Sequence, residues 1–214
     1  MAQRSVRSKK SDFRKIQGPT VTITVGATRS PFYIHKSLIC TSSLFFQRAM
    51  SGPWKESKEQ TLELPEDNPQ TFALYSHWLY FGKFPVIDGG NNHYKEYYDL
   101  VNAYVLGDKL LDVKFQNSAI DAIVEKSSAP DPHDGKRYYP CGALISHTYN
   151  STTESATIRK LFVDMHVDAA EAGWLNRELP KEFLYSVVEG FMKKRTPQTK
   201  KIKAFEYYVH PYAN

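Results

Sequence analysis

Cysteine is almost absent: Cys40 and Cys141 are the only two in 214 residues. Two cysteines cannot build a disulfide framework, and no Cys-x-x-Cys pair offers a structural zinc site or a redox centre, so a reducing compartment is expected. Long apolar runs are missing as well. None approaches the roughly 18 residues needed to cross a bilayer, and the basic opening MAQRSVRSKKSDFRK leads into no apolar stretch. Neither a secretory signal nor an anchor is expected, which points to the nucleus or the cytoplasm. The patterns G-x-G-x-x-G, G-x-x-x-x-G-K-[ST] and G-x-S-x-G do not occur either, leaving dinucleotide, P-loop and hydrolase readings without a foothold. The expectation is a non-enzyme with no cofactor and no metal.

What is present is a hydrophobic content of 41%, enough for a real core, and a net charge of +5 that is unevenly placed. Residues 1–17 carry +5 and residues 193–203 carry +6, which leaves 18–192 at about −5. Basic charge confined to tails reads as solubilising or as an import signal, such as Lys200-Lys201-Ile202-Lys203, more readily than as a folded nucleic-acid surface. The folded part should be mildly acidic.

Along the chain, Val21, Ile23 and Val25 alternate with threonines after Gly18-Pro19, as in a strand buried on one face. Phe32 and Ile34 form a return strand, and a third short strand carries Leu62 and Leu64. Between them Leu38, Ile39, Phe45, Phe46 and Ala49 predict one helix stopping near Gly52-Pro53. Asn68-Pro69 and Gly82 bracket a helix whose apolar residues, Phe72 to Phe81, should be buried on several sides. Tyr97, Leu100, Val101, Tyr104 and Val105 mark an amphipathic helix, and Phe115, Ala119, Ala122 and Ile123 another. The breaker-rich 128–140 reads as a linker, with two more helices beyond it on the stripes Ile158–Met165 and Phe183–Phe191, the second counting Val188 and Phe191.

Few side chains suggest chemistry. Within FYIHKSLICTSS, His35 and Cys40 are five residues apart, a net turn of about 140° on a helix, so they cannot pair as base and nucleophile. Cys40 reads as a small core residue and His35 as a strand end. No other histidine sits at ligand spacing, and Asp131, His133 and Asp134 read as a solvated turn-rich loop. Ser151 with Glu154 reads as a helix capping box rather than as part of a glycosylation sequon at Asn150.

The order strand, strand, helix, strand, buried helix, helix, helix resembles the BTB/POZ domain. His35-Lys36 is similar to the His-Arg or His-Lys that begins that family's first core helix. Ser43, Phe46, Met50, Trp54 and Glu56 then fall without a gap on S-x-x-F-x-x-x-Φ-x-x-x-Φ-x-E. Phe72, Leu79, Tyr80 and Gly82 resemble the Phe…Φ-Tyr-x-Gly segment, and Ala103 to Leu110, with Asp108, the A-x-x-L-x-D-x-Φ helix. The resemblance implies an α+β fold: a small three-stranded sheet packed by helices, followed by an α-helical extension. The division would be a basic disordered tail at 1–17, the BTB/POZ domain at 18–127, the linker at 128–140, helices at 141–194 and a basic tail at 195–214. With no Kelch, MATH or zinc-finger segment, the chain looks like the short BTB-containing proteins of fungi.

Membership in that family implies a protein–protein adaptor, with a substrate receptor for a cullin-3 ubiquitin ligase as the finer expectation. Met50, Trp54, Glu56, Tyr97 and Tyr98 would then face the cullin; His35, Ser43, Phe46, Tyr80, Gly82 and Asp108 would define the fold. Trp54 either closes its own core or is offered to a partner, and the two tyrosines are equally readable as core. Residues 11–17 are too short and charged for the swapped helix of dimeric relatives, which leaves at most a weak homodimer. The alternative is a self-associating scaffold or transcription-associated nuclear protein that binds no cullin.

Overall fold

The alternation of Val21, Ile23 and Val25 with threonine puts three β-branched side chains on one buried face, and the strand they form is the centre of the sheet. In the computed structural model, which describes residues 10–52, 55–87, 92–169 and 171–195, β1 (Thr20–Val25) lies between β2 (Ser30–His35) and β3 (Thr61–Leu64). β2 runs antiparallel to β1, with Ile23 opposite Phe32, and β3 runs parallel to it, with Ile23 opposite Leu62. A parallel neighbour needs a crossover. The chain supplies it with α1 (Lys36–Ser42), α2 (Leu44–Ala49) and α3 (Lys55–Glu59).

The single helix expected after Lys36 is broken at Ser43, whose backbone is extended at φ −105° and ψ 124°. The serine serves two helices. Its N–H closes α1 on the Ile39 carbonyl, and its Oγ accepts from the Phe46 N–H at 3.2 Å to cap α2. The disordered tail expected over 1–17 also needs correction: Lys10–Ile16 is a 3-10 helix, held because Ser37 Oγ donates to the carbonyls of Arg14 and Lys15. Residues 1–9 and 196–214, with the import-signal reading and half of the twelve basic residues counted in the tails, lie outside the described residues.

α4 (Pro69–Phe81) has the ends its sequence calls for. Asn68 Oδ1 accepts from the N–H groups of Gln70 and Thr71, Pro69 opens the first turn, and Gly82 at φ 63° closes the last on the Trp78 carbonyl. Only one side is fully buried, through Phe72 and Tyr75; Phe81 is 66% exposed, so burial on several sides does not hold. α5 (Lys95–Lys109) and α6 (Val113–Ser128) pack closely where Gly107 faces Gln116: a Cβ there would stand 2.7 Å from the Gln116 Cγ.

Beyond α6 come α7 (Gly142–Ser151), α8 (Thr157–Ala169) and α9 (Lys181–Lys194), with a 3-10 turn at Ala172–Trp174. Ser151 ends α7 instead of capping α8, because the stripe Leu144, Ile145 and Thr148 carries that helix to it. The C-terminal helices share one core with the sheet, through Leu144, Ile158, Phe162, Phe183 and Val187. Val188 and Phe191 stand exposed rather than on the buried stripe of α9. The 128–140 segment is not a solvated linker. Asp131, nearly buried, accepts from the His133 N–H and lies 2.8 Å from His93 Nδ1, whose ring stacks on Tyr138. The His133 amide and then His93 hold its carboxyl below the usual range. Among the described residues no helix is long and apolar enough to cross a membrane.

His166 on α8 is buried, donates from Nδ1 to the Phe162 carbonyl at 2.9 Å, and meets the edges of Phe183 and Trp174. Burial lowers its pKa below the ordinary histidine value. The unfolded chain therefore takes up the proton first on acidification. The stability that neutral His166 contributes is whole above pH about 6.5 and declines as pH falls from there toward the lower folded value. Thermal melts from pH 7.5 to 5 should fall more steeply for the native chain than for His166→Phe. Gly82→Ala should cost about 1 kcal/mol, a Tm loss of about 2–4 °C, from its left-handed backbone alone; a Cβ there would meet nothing within 4 Å.

Candidate functional site

Asp112 ends the turn between α5 and α6 and is fully buried. Its Oδ1 accepts from the Phe115 N–H at 3.0 Å, capping α6, and its Oδ2 accepts from Ser42 Oγ at 2.5 Å and Tyr75 OH at 3.0 Å. Three donors from three elements thus meet one carboxyl group. Burial, and then the charge of Asp112, push the Tyr75 phenol far above its ordinary range, which keeps it a donor. Ser43 Oγ donates to the Leu110 carbonyl at 2.5 Å, so α1 and α2 are fastened to the α5–α6 corner through consecutive serines. That corner turns through Leu111 at φ 52°, with the Asp112 N–H on the Gly107 carbonyl and the Leu111 N–H on that of Asp108.

Sequence reasoning named Asp108 as fold-defining, but Asp108 is exposed and its side chain accepts from the Gln116 amide at 3.3 Å; Asp112 holds the buried position. The readable signal was Asp112 three residues before Phe115, the spacing of an N-cap. Several of the other residues expected to define the fold make contacts between elements. Phe46 is buried between Phe72 and Tyr75. Tyr80 OH lies 2.8 Å from His35 Nδ1 and accepts from the His35 N–H at 3.2 Å, fixing the end of β2 to α4. Cys40 is half-buried with its thiol on the Phe46 carbonyl, and burial pushes that thiol's pKa up. His35 and Cys40 therefore have separate partners.

The residues expected to face a partner divide. Met50 is buried under α2, its carbonyl accepting from Ser57 Oγ. Tyr97 is fully buried, its hydroxyl donating to the Tyr138 carbonyl at 2.6 Å. As buried groups these two offer no surface, a correction that follows from helix geometry: the residue facing the core on α5 is Tyr97, and its neighbour is turned by about 100°. Tyr98 is half-buried against His147 of α7. Glu56 is exposed in the first turn of α3. Trp54 lies outside the described residues.

Glu56 sits on a groove of about 540 Å³ between α2, α3 and β3, lined by Phe45, Ala49, Glu56, Glu59, Thr61, Leu62 and Glu63. Phe45, Ala49 and Leu62 give an apolar floor, and the carboxylates of Glu56, Glu59 and Glu63 rim it, with Arg29 reaching Glu63. Such a rim favours a basic or hydrogen-bond-donating partner, most strongly at low salt. A larger groove of about 710 Å³ runs between 82–87, α6 and the 129–138 loop. Among the described residues no three His, Cys, Asp or Glu side chains are grouped to hold a metal.

Compared with known families, residues 11–104 match the BTB/POZ domain. No curated protein matches the chain. The match runs through the 3-10 helix, the sheet and α1 to α4 and ends within α5, so it contains the 540 Å³ groove and stops short of Asp112.

Replacing Asp112 by Ala should leave two hydroxyls and an amide without their acceptor and cost roughly 3 kcal/mol, read by denaturant unfolding. Tyr75→Phe, which leaves Asp112 its two other donors, should cost about 1 kcal/mol.

Proposed function

Since the chain carries a BTB/POZ domain over residues 11–104, a module of protein–protein interaction, we propose that it is an adaptor that docks a cullin-3-type ubiquitin ligase scaffold through the α2–α3 groove and brings a second protein to it. The observation that carries this reading is the place of Glu56: exposed at the head of α3, on an apolar-floored groove, in the Trp54-Lys55-Glu56 segment that resembles the family's cullin-contacting one. Trp54 is the side chain the reading assigns to the partner's apolar pocket, with Glu56 contributing a charged hydrogen bond beside it. Tyr98 lies in the family's other cullin-facing region and contributes the part of its ring that α7 leaves open. The substrate would engage surfaces outside the groove, and the C-terminal helices are the region available for it. Action in the nucleus or the cytoplasm belongs to the same proposal.

The test is co-purification of the full chain with the N-terminal domain of cullin-3. Trp54→Ala with Glu56→Ala should weaken binding by at least about 30-fold, the equivalent of about 2 kcal/mol. Glu56→Lys alone, at an exposed position, should leave unfolding within about 0.5 kcal/mol of the native chain while lowering affinity. Binding untouched by Glu56→Lys would refute the assignment and favour a self-associating scaffold or transcription-associated protein that binds no cullin.

A further inference from the structure

α9, KEFLYSVVEGFMKK, has apolar residues on two faces rather than one. Phe183 and Val187 are buried, and Gly190 lies so close to α8 that a Cβ would stand 2.6 Å from a Val167 methyl. Arg159 pairs with Glu182 at one end of the helix and Asp168 with Lys194 at the other. Orientation is therefore fixed. The opposite face presents Tyr185 at 74%, Val188 at 50% and Met192 at 69% exposure. Their spacing of three and then four residues confines them to a strip about 60° wide. Such a strip, rimmed by Glu182, Glu189 and Lys193, has the make-up of a helix-pairing seam rather than of a solvated surface.

We propose that this outer face of α9 binds the same face of a second copy of the chain, antiparallel about a two-fold axis near Val188. The strip is nearly palindromic: Tyr185 and Met192 lie three and four positions either side of Val188. Antiparallel pairing sets Tyr185 of each copy against Met192 of the other and brings the two Val188 side chains together. The charges select this direction. Glu182 in the first turn and Lys193 in the last lie on the same flank of the strip, and antiparallel helices bring like flanks together, so each Glu182 meets the other copy's Lys193. Parallel pairing would put the Glu182–Lys193 flanks of the two copies on opposite sides of the seam, where these charges find no partner in each other. Glu182 keeps buried Arg159 on its Oε2 and offers Oε1 to the other copy's Lys193, so only the exposed Lys193–Glu189 pair has to rearrange, at little cost. A 14-residue helix is about 21 Å long, so the interface is smaller than the roughly 1,200–2,000 Å² of stable complexes, and the dimer forms in the micromolar range. Dimerisation here leaves the α2–α3 groove open on each copy, which makes the assembly bivalent.

Sedimentation of the full chain from about 1 to 200 µM should show a reversible monomer–dimer equilibrium, with Val188→Glu and, separately, Tyr185→Lys each raising the dimer dissociation constant at least about tenfold. Both positions are at least half exposed, so circular dichroism should report native folding in each variant. Ile16→Glu, at a 52% exposed apolar residue of the 3-10 helix, should leave the equilibrium unchanged. With Cys40 and Cys141 replaced by Ser, Val188→Cys should form a disulfide-linked dimer on oxidation. A chain that stays monomeric throughout, a dimer indifferent to both α9 variants, or one lost in Ile16→Glu would overturn the proposal. None of these readings depends on whether a cullin is bound.

Discussion

A carboxyl group removed completely from water is tolerable only where its lone pairs are met by donors, and Asp112 meets that condition with donors from three separate elements. Everything positioned around the α2–α3 groove hangs from this arrangement. Ser42 brings α1 to the α5–α6 corner, Tyr75 brings α4, and the Phe115 amide brings the start of α6. The neighbouring Ser43 then fixes where α2 begins. Because α2 supplies Phe45 and Ala49 to the groove floor, the geometry of the groove is set by a hydrogen-bond junction beneath it. The aromatic rings of Phe46, Phe72, Tyr75 and Phe115 fill the space around the junction, with centroids 4.8–6.5 Å apart along that chain of contacts.

The C-terminal helices relate to this body in two ways. On one side they extend its core, so that α7 lies against Tyr98 and His147 reaches Asn102 of α5. On the other they end in a helix with an apolar outer face. The first arrangement narrows what the start of α5 can show a partner; the second creates a surface with no counterpart in the BTB/POZ match, which ends at residue 104.

Much of the architecture was legible from residue order. The alternation of β1 and the Asn68-Pro69 start and Gly82 stop of α4 rest on local chemistry, and His35 and Tyr80 were each marked by a family pattern visible in the letters, though their contact across 45 residues was not. The misreadings share a cause. Ser43 looks like an ordinary helical serine until the Leu110 carbonyl, 67 residues away, claims its hydroxyl. Asp108 and Asp112 differ in sequence only by one helical turn, yet one is solvated and the other is the centre of the junction. Among the expected partner-facing residues, Glu56 lies on the surface, while Met50 and Tyr97 are anchors beneath it. Apolar character told that they mattered but not which way they faced.

Periodicity and capping chemistry, which act within a few residues, were enough to determine the three strands, the helices α4, α5, α6, α8 and α9, and an acidic body between basic termini, but not the division of the first helix or the presence of α3 and α7. Tertiary structure alone decided which polar groups are buried together, which of two apolar faces on α9 meets the core, and where a groove opens. The physical reason is that burial of a polar or apolar group depends on neighbours far away in the chain, and no local preference carries their identity.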